Sequence, residues 1–243
     1  MKLTNSHIVI TGGASGLGLA LVEHLQAHNK ISVIARPSRG LDALRQRYQD
    51  IEIYEADLAD LASVELAADA LVKRGVKIDI LINNAAVQQT PKFIDDDFRY
   101  ETIKREIDIN FTSICALTYL LLPLLLKETP SNIVNINSGL ALVPKTSSAV
   151  YCATKGALNI FSKSLAHQLE ETNISVNQAF LPLVETGMTQ GRGGAKLPVD
   201  QVAQQIISGI SNNQAEINIG KVKLLRVIQR LSPTIATKIM KAA

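Results

Sequence analysis

Three side chains that could do acid–base chemistry lie on either side of one loop. Ser138 follows a strand-like run, and Tyr151 and Lys155 lie four residues apart in a helix-like segment. Residues four apart share one helix face, so the ammonium is expected beside the phenol. A free phenol titrates near pH ~10, and a neighbouring cation lowers that pKa. The spacing favours a tyrosine general acid or base, although two residues of a solvated helix face would show the same pattern.

A glycine-rich turn near the start of the chain has the composition of a phosphate-binding loop. Gly12, Gly16 and Gly18 follow a β-branched run (residues 7–11) and lead into an amphipathic segment (residues 17–27). Glycines let the backbone approach a phosphate, and the N-terminus of the next helix offers free N–H groups. The spacing differs from G-x-G-x-x-G, so an ordinary tight turn is the alternative. The strand–turn–helix context favours the phosphate.

The end of the second predicted strand (residues 31–35) carries no acidic residue. In dinucleotide folds an acid at this place binds the ribose hydroxyls, whereas an arginine accommodates a 2′-phosphate. Arg36 and Arg39 follow the strand here. Because guanidinium groups bind phosphates well, the sequence favours NADP(H), with NAD(H) as the alternative.

Strand-like and helix-like segments alternate along the chain. The predicted strands cover residues 7–11, 31–35, 51–55, 79–82, 132–137, 174–180 and 217–219. The predicted helices cover residues 17–27, 41–49, 61–74, 98–127, 147–171, 199–211 and 222–241. The alternation predicts an α/β fold, a Rossmann-like doubly wound parallel sheet of about seven strands with helices on both faces.

Length and composition favour a single domain over residues 1–243. Of its 243 residues, 47% are hydrophobic, and the net charge is +3. The basic residues are spread along the chain, which gives no argument for nucleic acid. Cys115 and Cys152 lack metal-ligand spacing, so we expect reduced thiols and no metal site. Since the first strand begins by residue 7, we expect no signal peptide and a cytoplasmic protein.

Two segments near the C-terminus depart from the alternating pattern. Residues 183–198 have little periodicity and contain Gly191, Gly193 and Gly194, so we expect a flexible flap. Residues 222–241 are predicted to form a basic amphipathic helix, which Pro233 interrupts. Packing of its apolar face on the domain or a partner subunit is favoured, and contact with a membrane surface is the alternative.

Together these motifs resemble the short-chain dehydrogenase/reductase family over nearly the whole chain. Residues 11–18 are similar to the family's cofactor turn, and Asn83, Asn84 and Ala85 to its Asn-Asn-Ala-Gly motif. The positions that match the catalytic tetrad are Asn110, Ser138, Tyr151 and Lys155. The positions implied in cofactor binding, together with Arg36 and Arg39, are Gly12, Ser15, Gly16, Leu17, Gly18, Asp57, Leu58, Asn84, Ala85, Tyr151, Lys155, Pro182 and Thr186.

Some positions are similar to one subgroup of the family, and others depart from the family motifs. The opening MKLTN, Gln88 and the segments 138–141 and 151–155 are similar to a bacterial subgroup named for its location near teichoic-acid D-alanylation genes. Ala86 replaces the usual glycine of the asparagine motif, and Leu183 replaces the glycine of the usual Pro-Gly pair. Both changes add side chain near the nicotinamide and the substrate, so they affect pocket size and not the fold.

The resemblance implies an NAD(P)-dependent oxidoreductase that transfers hydride between nicotinamide and a carbonyl or secondary alcohol. It implies that Tyr151 is the general acid/base and that Ser138 donates a hydrogen bond to the carbonyl oxygen. Lys155 is expected to lower the pKa of Tyr151 and to bind the nicotinamide ribose, and Asn110 to hold a proton-relaying water. The alternative is a dinucleotide-binding regulatory or scaffold protein with little turnover.

Mostly apolar side chains are expected around the substrate. The candidates are Val87, Gln88, Leu140, Leu142, Val143, Leu183 and residues 187–196 of the flap. With few charges among them, we expect a modest-sized ketone, aldehyde or secondary alcohol. Family members are commonly dimers or tetramers built on the two helices that here carry Asn110 and Tyr151, so we expect a homodimer or homotetramer.

Overall fold

A seven-stranded parallel sheet forms the centre of the fold, in the strand order β3-β2-β1-β4-β5-β6-β7. The computed structural model describes residues 3–192 and 194–241, so Gly193 of the predicted flap and two residues at each end of the predicted domain lie outside the described residues. The strands are β1 (His7–Thr11), β2 (Lys30–Ala35), β3 (Glu52–Glu55), β4 (Ile80–Asn83), β5 (Ser131–Ser138), β6 (Ile174–Leu181) and β7 (Glu216–Asn218). This arrangement confirms the predicted fold class.

Helices cover both faces of the sheet. They are α1 (Gly16–Leu25), α2 (Arg39–Arg47), α3 (Leu61–Lys73), α4 (Glu101–Ile107), α5 (Ser113–Leu125), α6 (Ala149–Gln168), α7 (Val199–Ser211), α8 (Val222–Leu231) and α9 (Pro233–Lys241). Successive strand residues point to opposite faces. In β1, Ile8 and Ile10 therefore pack with α1, α2 and α7, whereas Val9 packs with α3, α5 and α6.

The predicted helix over residues 98–127 is divided into three parts. It begins at Glu101, passes through a π-helical turn at Asp108–Thr112 and continues as α5. By length and hydropathy, Glu101–Leu125 would pass as a membrane span, with 44% of its apolar window buried inside the domain. Its α5 part packs against α3, as a core helix does.

The amphipathic segment predicted over residues 222–241 forms two helices, and the break lies at Pro233, where the sequence predicted an interruption. Helix α8 ends at Leu231, and α9 begins at Pro233. Proline disfavours the helical conformation of the residue before it and has no N–H to donate. Ser232 accordingly has φ −150° and ψ 90°. Pro233 occupies the first position of the new helix, where its missing donor costs nothing.

The predicted flap is anchored at both ends. The backbone N–H of Leu197 donates to Leu183 O at 3.0 Å, and that of Glu185 donates to Leu197 O at 2.9 Å. Within this loop, a short helical turn runs over Gly187–Thr189, and the Lys196 ammonium donates to Thr189 O at 2.6 Å. The flap therefore leaves and rejoins the domain at one place, directly after β6.

Candidate active site

The glycine turn between β1 and α1 folds tightly onto itself. Gly12 and Gly16 have φ of +68° and +51°, a region that favours glycine. A Cβ on Gly18 would lie 2.2 Å from the carbonyl oxygen of Gly12. Helix α1 begins at Gly16 without an acidic residue in its first turn, and Ser15 precedes it as an exposed N-cap. The turn therefore fits a phosphate-bearing cofactor, with small residues before a free helix N-terminus.

Thr11 joins this turn to the asparagine motif. Its hydroxyl oxygen accepts from the backbone N–H groups of Asn84 at 2.9 Å and Ala85 at 3.0 Å. The Asn84 amide in return donates to Thr11 O at 2.9 Å. The sequence placed Thr11 in the cofactor turn but did not predict this role of its side chain, although a threonine at the end of β1 beside a glycine turn is a usable signal. The ends of β1 and β4 are thus held together below the turn.

The two predicted phosphate-binding arginines lie beside the glycine turn. Both Arg36 and Arg39 are exposed, and Arg39 is the first residue of α2. A Cβ on Gly40 would lie 2.6 Å from Ala14 O, so the start of α2 packs closely on the turn. Ser38 caps α2 by accepting from the N–H of Leu41 at 3.2 Å.

Asp57, the predicted adenine contact, is already engaged within the protein. Its Oδ1 accepts from the N–H of Ala59 at 3.0 Å, and its Oδ2 accepts from Arg105 at 3.1 Å. These hydrogen bonds, that of Ala59 first, lower the pKa of Asp57. The next predicted residue, Leu58, is buried.

The structure brings Ser138, Tyr151 and Lys155 together at the carboxyl end of β5. Lys155 is 2% exposed, and its Nζ lies 5.8 Å from the centre of the Tyr151 ring. That ammonium donates to Ile136 O of β5 at 2.8 Å. Ser138 ends the strand, accepts from the N–H of Leu140 at 3.1 Å and hydrogen-bonds with the Tyr151 side chain. Helix α6 thus presents its inward face to the end of β5.

Burial opposes the predicted lowering of the Tyr151 pKa by Lys155. Burial raises the pKa of Tyr151 to about 12, and the charge of Arg192 and the hydrogen bond with Ser138 oppose this shift. Burial also lowers the pKa of Lys155 to about 8. Desolvation therefore dominates both residues, and the cation that lowers the Tyr151 pKa is Arg192. At neutral pH the phenol keeps its proton.

Asn110, in the π-helical turn, connects three elements around the site. The side chain is fully buried, and its Oδ1 accepts from the N–H of Val87 at 2.8 Å. Its amide nitrogen donates to Val87 O at 2.8 Å and to the Thr154 hydroxyl of α6 at 3.3 Å. Asn110 therefore satisfies both backbone groups of Val87 and fixes the segment that follows the asparagine motif.

The predicted pocket residues lie at the same end of the sheet and differ in their exposure to solvent. Leu140 and Leu183 are partly exposed, whereas Val143 is buried. The Gln88 amide donates to the Ser148 hydroxyl at 3.0 Å, and its Oε1 accepts from Arg192 of the flap. Arg192, one of the flap residues 187–196 among the candidates, therefore brings one charge to this pocket, through a contact across the fold that no local pattern reveals.

The nicotinamide-side candidates lie where β6 leads into the flap. Thr186 Cγ2 would be 3.3 Å from a Cβ on Gly16, so the flap passes directly over the start of α1. The backbone N–H of Thr186 donates to the Thr189 hydroxyl at 3.2 Å. Pro182, at the partly exposed end of β6, would be 3.6 Å from a Cβ on Gly220.

Comparisons with known proteins agree with this geometry. A family model described as short chain dehydrogenase matches residues 6–196. The chain is 32% identical over 233 residues (93% of this chain and 92% of the relative) to "Uncharacterized oxidoreductase DltE" of Bacillus subtilis, of the teichoic-acid D-alanylation locus. This similarity confirms the predicted subgroup resemblance. The chain is also 29% identical over 190 residues to human L-xylulose reductase, a match that covers 77% of this chain and 75% of the relative.

Solved structures share the fold. A short chain dehydrogenase from Burkholderia cenocepacia J2315 in complex with NADP superposes with a TM-score of 0.88 at 20% identity, covering 99% of each chain. A short chain dehydrogenase/reductase from Burkholderia phymatum in complex with NAD superposes with a TM-score of 0.82 at 20% identity, covering 95% of this chain and 96% of that chain. By the family match and the identity to its relatives, the chain belongs to the short-chain dehydrogenase/reductase family and is an NAD(P)-dependent oxidoreductase.

Proposed function

We propose that the protein reduces a small carbonyl compound, or oxidises the corresponding secondary alcohol, in the cytoplasm with NADP(H). The observation that carries this proposal is the grouping of Ser138, Tyr151 and Lys155, in which the Lys155 Nζ lies 5.8 Å from the centre of the Tyr151 ring. This grouping lies at the carboxyl end of β5, at the same sheet edge as the glycine turn. Ligands of open α/β sheets bind at this edge. A bound nicotinamide cofactor supplies or accepts the hydride.

The chain itself supplies the proton and stabilises the developing charge. With a pKa of about 12, Tyr151 is protonated at neutral pH and can give its proton to an alkoxide, a stronger base. In this structure the Ser138 hydroxyl is bonded to Tyr151, and we propose that its hydrogen turns to the substrate oxygen when a carbonyl compound is bound. Lys155 packs against the Tyr151 ring, and we propose that it binds the ribose hydroxyls.

Other residues position these groups. Asn110 fixes Val87, and we retain the proposal that it also holds a water that relays protons to Lys155. The glycine turn, Thr186 and Pro182 are proposed to enclose the pyrophosphate and the nicotinamide. Asp57 and Leu58 are proposed to border the adenine, and Arg36 and Arg39 to bind the 2′-phosphate.

Removing Arg36 and Arg39 should abolish a preference for NADPH. We expect Arg36→Ala/Arg39→Ala to weaken NADPH binding about 10- to 100-fold, because charge-assisted phosphate contacts are lost, and to change NADH binding little. Titration by nicotinamide fluorescence measures both cofactors, and the absence of Trp keeps protein emission low. Arg45→Gln is the matched control, since this α2 arginine pairs with Glu55 instead. Equal losses for both cofactors would contradict the assignment.

Turnover tests the function itself. NADPH oxidation is measured with a panel of small ketones and aldehydes, and NADP⁺ reduction with the corresponding alcohols. Tight NADPH binding without turnover of any of them would instead support a cofactor-binding regulatory protein.

We also propose a homodimer or homotetramer. The outer faces of α5 and α6 carry Tyr119 and Ile160, which are 76% and 66% exposed. Large exposed apolar side chains on neighbouring helices suit an interface between subunits. Light scattering at micromolar concentration should give at least a dimer mass, and Ile160→Asp should shift it towards the monomer. A wild-type monomer mass would refute the proposal.

A further inference from the structure

We propose that the substrate carries an oxyanionic group, a carboxylate or a phosphate monoester, which binds Arg192 and Lys145 beside Tyr151. This inference rests on the proposed function and assigns the substrate class to the same site. It makes Arg192 a specificity-determining residue that the family motifs do not contain.

The guanidinium of Arg192 is held in place by a relay of side chains. It donates to Gln88 Oε1, and the amide nitrogen of Gln88 donates to the Ser148 hydroxyl at 3.0 Å. Ser148 is buried and has a left-handed backbone (φ 60°) directly before α6. Arg192 is thus anchored to the start of the helix that carries Tyr151. A guanidinium oriented in this way keeps further donors free for a planar acceptor.

The protein offers these two cations no opposite charge. Within residues 3–192 and 194–241, no carboxylate forms an ion pair with Arg192 or Lys145, although eleven other ion pairs occur. Partial burial lowers the pKa of both groups, and the charge of Arg192 lowers that of Lys145 further. Like charges held together with partial desolvation are unfavourable, and an anionic ligand would remove that cost.

The buried acidic side chain whose charge acts on Tyr151 does not fulfil this role. Glu106 is buried, and its carboxylate accepts from the N–H of Gln89 at 3.0 Å. Its charge acts on Tyr151 and Cys152, but it does not contribute to the pKa of Arg192 or Lys145.

The cations lie close enough to the chemistry to orient a substrate. Through Gln88, Arg192 is anchored to Ser148, three residues before Tyr151, and its charge lowers the pKa of Tyr151, which is proposed to meet the substrate oxygen. Leu140 and Leu183 are partly exposed at the same end of the sheet. An anion bound by the flap arginine would therefore place a short, partly apolar carbon chain with its carbonyl at Ser138 and Tyr151. Bidentate binding of a carboxylate or phosphate would also fix its direction.

Paired substrates that differ only in charge test the inference. The probes are levulinate with methyl levulinate, acetoacetate with methyl acetoacetate, and dihydroxyacetone phosphate with dihydroxyacetone. The wild-type enzyme should prefer the anionic member of at least one pair. In Arg192→Gln the ratio of kcat/KM between the anion and its neutral partner should fall about 10- to 100-fold. The pair that responds distinguishes carboxylate from phosphate.

Two further variants separate local binding from general charge effects. Lys163→Gln removes the same charge from α6 outside the pocket, where its ammonium lies 4.0 Å from Glu216, and should leave the anion-to-neutral ratio unchanged. Arg192→Lys keeps the positive charge but loses the planar guanidinium with its paired N–H donors. Its kcat/KM ratio between anion and neutral partner should therefore lie between those of the wild type and Arg192→Gln. Equal loss on both members of every pair, or an effect confined to the KM for NADPH, would overturn the inference.

A measurement without turnover keeps this inference separate from the reductase proposal. A ketone and NADP⁺ cannot exchange hydride, so calorimetry can follow ketone binding to the enzyme saturated with NADP⁺. At least one anionic ketone should bind more tightly than its neutral partner, and Arg192→Gln should abolish the difference. Arg192-dependent binding without any reduction would refute the reductase function and leave the anion site standing. The absence of any difference in binding would refute the anion site.

Discussion

Tyr151→Phe should abolish nearly all turnover while the protein still binds its cofactor. Removal of one hydroxyl takes away the proton donor, and general acid catalysis contributes about 10²- to 10⁴-fold. We therefore expect kcat to fall by about that factor. The phenyl ring still packs above Lys155 and in the buried surroundings of Tyr151, so the fold should survive. Steady-state kinetics and NADPH titration of the same preparation measure the two effects.

The matched control is Ser138→Ala. It removes the hydrogen-bonding partner of Tyr151 but leaves the proton donor, so the loss in kcat should be smaller. The shape of the pH–rate profile should change at high pH, because the Ser138 hydrogen bond helps to lower the pKa of Tyr151. A Tyr151→Phe enzyme that kept most of its rate would exclude this tyrosine as the acid.

Gly18→Ala should disrupt the glycine turn with a single methyl group. The added Cβ would lie 2.2 Å from the carbonyl oxygen of Gly12 and 2.6 Å from the Asn84 amide nitrogen. Because Asn84 is also bonded to Thr11, the turn can yield only by breaking that contact. We expect NADPH affinity to fall about 100-fold or more, since phosphate hydrogen bonds of about 1.5–3 kcal/mol each are misplaced. The free energy of unfolding should fall by about 1–3 kcal/mol.

Gly156→Ala is the control for the same chemical change. Gly156 lies in α6, and a Cβ there would meet nothing within 4 Å. A glycine-to-alanine change inside a helix raises stability by up to about 1 kcal/mol, and here it should not alter NADPH affinity. Urea denaturation and fluorescence titration compare the two variants. Normal NADPH binding by Gly18→Ala would show that the turn does not hold the cofactor.

The fold could be predicted from the sequence because its signals are local. β-Branched runs separated by amphipathic segments require parallel strands with helical connections, and the structure has them. The four-residue spacing likewise brings Lys155 next to the Tyr151 ring. The break at Ser232 was likewise predictable, because it follows from Pro233 alone.

What the sequence could not predict depends on the tertiary structure. The pKa of Tyr151 moves upwards because burial outweighs every nearby charge, and burial is set by packing from distant segments. Thr11 joins two strand ends 73 residues apart. Arg192 contacts Gln88 across 104 residues. No periodicity or short motif marks such contacts.

The π-helical turn at Asp108–Thr112 constrains the number of residues between α4 and α5 as well as their types. It joins α4, which buries Glu106, to α5, which buries Leu117 and Leu121. A single-residue deletion here would rotate one helix against the other by about 100°. Either Asn110 would leave Val87 or the leucines would leave the core. This stretch should therefore accept substitutions far more readily than insertions or deletions of one residue.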